Sequence, residues 1–205
     1  LPLLAIRISS LHPLSIPFLG TVVEDRFLYG MLIIPIGIIA STNLTNTFAG
    51  FNGIEASMGI ITAGFLFLIG LITGNIHTQI LSAVLAGALL GFYKFNQYPS
   101  KIFPDDIGTL LIGACIGMIV IIGGIELAGV ILLLPYIVDF LFFKIPNHLP
   151  STGWHGVLRD GKLYCDKKPV HLAQFVMKMT GGISEKNLVM LFVLGQVILG
   201  LAATL

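Results

Sequence analysis

The sequence predicts an all-α fold, a multi-pass bundle of transmembrane helices, and two observations lead to this prediction. The first is composition: 56% of the 205 residues are hydrophobic and only 10% are charged, whereas soluble domains carry about 25% charged residues. The second is the grouping of apolar residues into runs that approach the ~20 residues a helix needs to cross a bilayer. Because lipid offers no partner to an unpaired backbone group, these runs are expected to be helical.

The apolar runs divide the chain into about six full or near-full spans, preceded by the end of a truncated first helix at Leu1–Ile8. We expect residues 1–205 to form a single membrane-embedded domain, the C-terminal part of a longer protein. The six predicted spans are Leu28–Phe48, Ile54–Thr73, Ile76–Tyr93, Ile107–Ile122, Ile125–Lys144 and Lys186–Leu205.

Shorter features are predicted around these spans. The loop Ser9–Phe27 is broken by prolines and contains a candidate interfacial strand at Thr21–Val23. Pro35 lies inside the first span, where its missing N–H is expected to kink the helix. The segment His171–Met179 mixes apolar residues with a lysine, a pattern typical of an interfacial helix.

The distribution of positive charge predicts the orientation of the spans. Nine of the eleven lysines and arginines lie within residues 94–101 or 144–186, two regions on the same side if the spans alternate. By the positive-inside rule this side is cytoplasmic. The loop at residues 50–53 falls on it too, so we expect three polar loops to face one another there. The net charge of only +1 argues against a nucleic-acid partner.

The segment Thr42–Glu55 contains three asparagines and two glycines directly after an apolar run. If the helix continues, Asn43, Asn46 and Gly50 lie on one face, because they are spaced i, i+3 and i+7. Asn52 precedes a glycine, which predicts a turn, and its spacing to Glu55 matches a capping box. A ligand site and simple helix packing with capping remain as alternatives.

A second polar segment contains two adjacent carboxylates, Asp105 and Asp106, before an apolar run. One aspartate is enough to cap a helix. Two side by side repel each other unless a cation lies between them and an anionic group, and Mg²⁺ commonly has this role between carboxylates and substrate phosphates. Phe103 and Tyr98 are candidates for an aromatic surface against a base.

Two further sets of residues are candidates for the same site. Asp139 lies near the predicted cytoplasmic end of the fifth span, where it either pairs with a cation such as Lys144 or takes part in the site. The loop over residues 147–162 contains His148 and several basic residues, which are the usual content of a solvated loop but also suit a phosphate site.

Several motifs occur together in one order: T-N-x-x-N-x-x-A-G-x-N-G-x-E, Y-P-S-K-I-F-x-x-D, P-x-x-x-D before H-x-P, D-G-K-L and E-K-N-L. In these motifs the chain resembles the polyprenyl-phosphate N-acetylhexosamine-1-phosphate transferases over nearly its whole length. It most closely resembles the branch that transfers GlcNAc-1-phosphate from UDP-GlcNAc to dolichyl phosphate. That reaction is the first step of lipid-linked oligosaccharide assembly for N-glycosylation.

The resemblance implies a role for each matching residue. Asn46 and Asp106 match the catalytic positions that coordinate Mg²⁺, for which Mn²⁺ is an alternative. Asn43 matches a residue beside the metal or the pyrophosphate. Asp139 falls in the P-x-x-x-D motif and is grouped with the substrate-binding residues.

Other matching positions concern the sugar nucleotide. The resemblance implies that Gly50 and Asn52 form the turn that recognises uracil and that uracil packs on Phe103. It also implies that His148 contacts the sugar nucleotide. The implied partners are UDP-GlcNAc, dolichyl or another polyprenyl phosphate, and the lipid bilayer. A homodimer remains an open alternative to a monomer.

The sequence departs from the family pattern at three places. Asp105 stands where the family usually has glycine, and Asn147 and Leu149 stand where the eukaryotic enzymes carry arginines beside the loop histidine. The N-terminal part, with the family's aspartate pair and phosphate-binding lysine, is absent, so we expect this chain alone to be inactive. The short loop before E-K-N-L favours an archaeal plasma membrane over an endoplasmic reticulum.

A secondary transporter is the alternative from another functional class. Polar breaks in helices, such as the one near Asn43 and Asn52, also build transporter substrate sites. Transporters place such breaks near the middle of the bilayer and often repeat them, whereas here the polar breaks cluster at one end of the spans. The sequence therefore favours the transferase.

Overall fold

The structure is a computed structural model that describes residues 14–16, 20–23, 29–148 and 155–205. Helices dominate this part of the chain, as predicted, and four of them are long and apolar enough to cross a membrane. The protein is therefore an integral membrane protein with several spans.

The α-helices are α1 (Ile34–Thr47), α2 (Ile54–Ile72), α3 (Ile76–Asn96), α4 (Asp105–Gly123), α5 (Glu126–Leu132), α6 (Leu134–Asp139), α7 (Leu172–Met179) and α8 (Glu185–Ala203). The strands are β1 (Leu14–Ile16), β2 (Gly20–Val23), β3 (Val157–Arg159) and β4 (Lys162–Tyr164).

Strands β1 and β2 pair as an antiparallel hairpin near the beginning of the described chain. The predicted strand at Thr21–Val23 is confirmed as part of β2. The predicted helix end at Leu1–Ile8 lies outside the described residues, as does most of the loop that follows it.

The first complete span changes helix type near its start. A π-helical turn over Tyr29–Ile33 leads into α1, with Pro35 in the first turn of the α-helix. Proline has no N–H to donate, so it is tolerated best where a helix begins. The structure thus places Pro35 at the change from π to α geometry, and the kink expected there stays a prediction.

Helices α1 and α4 approach each other so closely that two glycines of α4 have no room for a side chain. A Cβ added to Gly113 would lie 2.1 Å from Oγ1 of Thr45 and 2.4 Å from the carbonyl oxygen of Ser41. A Cβ on Gly117 would lie 2.3 Å from Oγ of Ser41. Small residues allow this kind of backbone contact between membrane helices. The contact fixes the position of the C-terminal end of α1 against α4.

The fifth predicted span, Ile125–Lys144, is broken where a continuous helix was expected. Helices α5 and α6 are separated at Leu133, and the two halves of the span are bent by 61°. The physical reason is Pro135, which lies in the first turn of α6 and cannot donate to the preceding turn. After α6 the chain continues as a π-helical turn at Phe140–Lys144.

A buried glutamine satisfies a backbone group at this break. Nε2 of Gln196 in α8 donates to the carbonyl oxygen of Leu132 at 2.8 Å, and it lies 2.9 Å from Oγ1 of Thr62. The Gln196 side chain is fully buried. A carbonyl without a partner is costly in an apolar interior, so this residue stabilises the bend. No local sequence pattern marks this residue.

Strands β3 and β4 form a second hairpin within the long polar region before α8. Asp160 and Gly161 both have positive φ angles, 49° and 74°, as a two-residue Asp-Gly hairpin turn requires. Leu163 of β4 exchanges two backbone hydrogen bonds with Ile183, at 2.8 and 3.1 Å. The hairpin is thus tied to the segment that leads into α8. Helix α7 lies between them, and the helix predicted there is confirmed.

The α1–α4 contact generates a stability prediction. We expect Gly113→Ala to lower the free energy of unfolding by about 1–3 kcal/mol, because the new methyl group must displace backbone and the Thr45 side chain. Thermal unfolding of the purified full-length protein in detergent measures the change. Gly87→Ala is the matched control, since a Cβ there meets no atom within 4 Å. Equal melting temperatures for the two variants would contradict the prediction.

Candidate functional site

The turn after α1 differs from the predicted geometry. The helix ends at Thr47, and Gly50 has a φ of 103°, outside the range of a right-handed helix. The expectation that Asn43, Asn46 and Gly50 share one helical face is therefore wrong for Gly50. The chain reverses within a few residues because two glycines, Gly50 and Gly53, adopt conformations that favour glycine.

The predicted capping box at the start of α2 is also absent. Helix α2 follows Gly53, whose φ is 81°, and no side chain caps it. Glu55 instead accepts a hydrogen bond from the N–H of Gly50 at 2.7 Å. This buried carboxylate holds the turn from within, so its role is to shape the turn rather than to cap the helix.

Asn46 lies against the first turn of α4. Its Oδ1 accepts a hydrogen bond from Oγ1 of Thr109 at 2.6 Å. The same hydroxyl lies 3.0 Å and 3.1 Å from the carbonyl oxygens of Asp105 and Asp106. The structure therefore brings Asn46 to the helical turn that carries both aspartates. Asn43, one turn earlier, is exposed and donates to the carbonyl of Ile39 in its own helix.

The two aspartates have different backbone environments. Asp105 has a φ of 52°, in the left-handed region that favours glycine. Its Oδ1 accepts from the N–H of Asp106 at 2.9 Å, so it satisfies one free donor at the start of α4. Both side chains are exposed. This backbone conformation fits the glycine that the resemblance implies at this position.

These residues have the chemistry expected of a magnesium site. Mg²⁺ is typically held by one or two carboxylates, with water and substrate phosphates completing its shell. The carboxylate of Asp106 and the amide oxygen of Asn46 are oxygen donors of this kind, and Asp105 lies beside them. Within the described ranges, no three histidine, cysteine, aspartate or glutamate side chains form a ready metal cluster. The donor set therefore fits a metal that also depends on substrate oxygens.

Asn52 connects three parts of the chain. Its N–H and its Nδ2 both donate to Oε1 of Glu185, at 2.7 and 2.6 Å, and its Oδ1 accepts from the N–H of Ser100 at 2.6 Å. The predicted meeting of the three polar loops is thus confirmed. Glu185 was noted only as part of the E-K-N-L motif, and no local pattern indicates a contact 133 residues away.

Phe103 and His148 are both exposed. They belong to two different loops. Phe103 lies at one end of an apolar groove of about 590 Å³ between α3 and α4. His148 follows a single 3₁₀ turn and has a φ of 59°. Residues 149–154 after it, including Trp154, lie outside the described part of the chain.

Asp139 is fully buried and binds the start of α7. Its Oδ1 accepts from the N–H of Leu172 at 2.6 Å, so it caps that helix. Nδ1 of His171 is 3.4 Å away but accepts from the N–H of Ala173, which leaves it no proton for the carboxylate. Asp139 therefore has a structural contact with backbone, and its pairing with Lys144 stays a prediction. A direct role in substrate binding remains a prediction.

His171, which sequence analysis missed as a candidate, packs beneath the turn. It is fully buried and stacks on Phe48, with 5.1 Å between ring centroids. Burial lowers the pKa of His171 to about 3, and the charge of Lys144 adds to this effect. The imidazole is therefore neutral at pH 7. Burial also lowers the pKa of His155, while the charge of Glu185 opposes this.

Comparison with known proteins identifies the family. Residues 1–124 match the family model described as glycosyl transferase family 4. The chain therefore belongs to this family of glycosyl transferases, which favours the transferase over the transporter alternative.

The names of individual relatives give more detail than the family description. The chain is 40% identical over 180 residues to a protein of Saccharolobus solfataricus provisionally named a UDP-N-acetylglucosamine–dolichyl-phosphate N-acetylglucosaminephosphotransferase. That alignment covers 87% of this chain and 55% of the relative. A protein of the same provisional name from Sulfolobus acidocaldarius is 37% identical, with 87% and 54% covered.

Another relative is named for the transfer of a different group. A phospho-N-acetylmuramoyl-pentapeptide-transferase of Clostridium kluyveri is 32% identical over 165 residues, covering 68% of this chain and 52% of the relative. The chain thus spans about half the length of the curated relatives it matches.

We expect acidification to destabilise the fold through His171. An unperturbed imidazole takes up a proton near pH 6.5, whereas in the fold the pKa of His171 is about 3. Between these values the unfolded state binds more protons, so the free energy of unfolding falls by ~1.4 kcal/mol per pH unit below about pH 6. Thermal unfolding of the full-length protein between about pH 7 and about pH 5 measures this slope.

The control for this prediction replaces one histidine at a time. His171→Asn keeps a side-chain acceptor at the start of α7 and cannot titrate, so its pH slope should be smaller than that of the wild type. His77→Asn, at an exposed position, should keep the wild-type slope. If His171→Asn and His77→Asn show the same slope, His171 does not contribute to the acid sensitivity.

Proposed function

We propose that the full-length protein transfers GlcNAc-1-phosphate from UDP-GlcNAc to dolichyl phosphate or a related polyprenyl phosphate. An oxygen of the lipid phosphate attacks the β-phosphorus of UDP-GlcNAc, and the bond from that phosphorus to the bridging oxygen breaks. UMP leaves with the bridging oxygen, and the product is dolichyl-diphosphate-GlcNAc. This product would be the first lipid-linked intermediate for protein N-glycosylation.

One observation supports this proposal above the others. The hydrogen bond from Thr109 to Asn46 brings an amide oxygen of α1 to the helix start that carries Asp105 and Asp106. Both carboxylates are exposed. An exposed pair of carboxylates beside a third oxygen donor suits a metal-bound diphosphate, which is the reacting group in this family.

The residues present would act mainly by position and charge. Mg²⁺, with Mn²⁺ as the alternative, would neutralise charge on the diphosphate when bound. Asn46 and Asp106 would hold this ion, and the first turn of α4 would keep their oxygens in place. Gly50, Asn52 and Phe103 would bind the nucleotide, and His148 would contact the sugar nucleotide from the following loop.

The site would lie on the cytoplasmic side of the membrane. The excess of lysine and arginine in the loops at this end supports that orientation. The two relatives with the same provisional name are archaeal, which supports an archaeal plasma membrane. The lipid acceptor explains why the enzyme is an integral membrane protein.

The neighbouring aspartates give the sharpest test of the proposal. We expect Asp106→Asn to abolish transfer, because it removes the charge proposed to hold the metal. Asp105→Gly should retain most activity, because glycine adopts the positive φ of this position without strain and only one capping contact is lost, at most about 1 kcal/mol. The assay is the rate of radiolabel transfer from UDP-GlcNAc to polyprenyl phosphate by the full-length protein at several magnesium concentrations.

Thermal unfolding of both variants provides the control, since each should fold with a melting temperature close to that of the wild type. An inactive Asp105→Gly together with an active Asp106→Asn would move the metal assignment to Asp105. Full activity in both would show that these carboxylates only cap α4. If the wild-type enzyme does not use UDP-GlcNAc but transfers from another sugar nucleotide, that nucleotide replaces UDP-GlcNAc as the proposed donor.

A further inference from the structure

The first turn of α8 reaches the proposed nucleotide site from a distant part of the sequence. Ser184 caps this helix by accepting from the N–H of Asn187, which places Glu185 at the first helical position. The carboxylate of Glu185 accepts two hydrogen bonds from Asn52, one from the backbone and one from the side-chain amide. Both contacts use the same oxygen, Oε1.

A third loop completes this arrangement. Oδ1 of Asn52 accepts from the backbone N–H of Ser100, at 2.6 Å. The ammonium group of Lys186 lies 5.3 Å from the ring centroid of Tyr98, within the range of a cation–π contact. We call Asn52, Ser100 and Glu185 the Asn52 clamp. Each of the three segments in the clamp thus contacts the other two.

The clamp fixes which way the side-chain amide of Asn52 points. A carboxylate can only accept a hydrogen bond, so it must face Nδ2, whereas a backbone N–H can only donate and must face Oδ1. With the amide reversed, its oxygen would face the carboxylate and its NH₂ group would face the N–H of Ser100. Both contacts would then be repulsive. The clamp therefore allows one orientation of the amide.

This orientation leaves Asn52 with a defined pair of remaining hydrogen-bonding positions. A side-chain amide has two N–H donors and two acceptor lone pairs, and the clamp uses one of each. One donor and one acceptor therefore remain on this half-buried side chain. A uracil presents a neighbouring acceptor and donor, O4 and N3–H, whereas cytosine presents the reverse pattern, a donor at N4 and an acceptor at N3.

We propose that Glu185 is a positioning residue that sets the choice of uracil over cytosine by fixing the amide of Asn52. This inference rests on the proposed function, in which the turn containing Asn52 binds the base. Glu185 itself does not touch the nucleotide. It acts through Asn52, whose side-chain oxygen is held by the N–H of Ser100.

The test uses Glu185→Gln, a variant of nearly the same size. A glutamine oxygen can still accept from Asn52 but carries no charge, so it holds the orientation of the Asn52 amide less strongly than a carboxylate does. The probes are UDP and CDP, each with Mg²⁺, and the measurement is the dissociation constant of each nucleotide for the purified full-length protein. We expect the preference for UDP over CDP to fall about tenfold, the scale of one hydrogen bond to a charged group.

Further variants separate positioning from general stability. Glu185→Ala should weaken UDP binding about tenfold or more, by the same reasoning, and leave the KM for polyprenyl phosphate unchanged. Adding Glu185→Ala to Asn52→Ala should cost no further affinity, because the two residues act as one unit. Asp166→Asn is the matched control. That exposed carboxylate pairs with Arg159, and its loss should change neither the nucleotide preference nor UDP affinity.

The outcomes distinguish this inference from the proposed function. If the wild-type protein binds UDP and Glu185→Gln keeps the full preference for UDP over CDP, the inference is wrong while the proposed function stands. Additive losses in the double variant would also overturn it, since Glu185 would then act independently of Asn52. If the wild-type protein binds no UDP, the proposed function itself fails. Reduced discrimination in Glu185→Gln, with an unchanged melting temperature, supports the inference.

Discussion

The geometry of the candidate site depends on the close contact between α1 and α4. Because Gly113 and Gly117 have no side chains, the two backbones meet directly and Thr45 reaches the carbonyl of Thr109 at 3.0 Å. The next residue of α1, Asn46, accepts a hydrogen bond from the Thr109 hydroxyl. The relative position of Asn46 and the two aspartates is therefore a consequence of helix packing. A longer distance between these helices would separate the oxygen donors.

Buried polar side chains near the candidate site and at the broken span each bind a particular backbone group. Asp139 caps α7, Glu55 binds the N–H of Gly50, and Gln196 binds a carbonyl at the break between α5 and α6. Polar groups in a water-poor interior are stabilising only when they have such partners. The broken span is thus a stable feature, because α8 supplies the partner that the bend requires.

The sequence predicted the fold class, most of the spans and the meeting of the polar loops, because hydropathy and charge act over long segments. It failed where the outcome depends on single backbone angles. The positive φ of Gly50 moved it away from the face shared by Asn43 and Asn46, and Pro135 broke a span that its composition made look continuous. Contacts such as Asn52 with Glu185 join distant segments and leave no periodic signal. The roles proposed for the site residues came from the motifs and their resemblance.

The Asn52 clamp also has a consequence for how the protein is made. Glu185 follows Asn52 by 133 residues, and the ribosome adds residues from the N-terminus at about 5–20 per second. The turn that contains Asn52 is therefore synthesised several seconds before Glu185. During that interval the turn lacks the carboxylate that orients its amide. Under the proposed function, nucleotide recognition would therefore be completed only after α8 has been synthesised, later than the helices that carry Asn46 and Asp106.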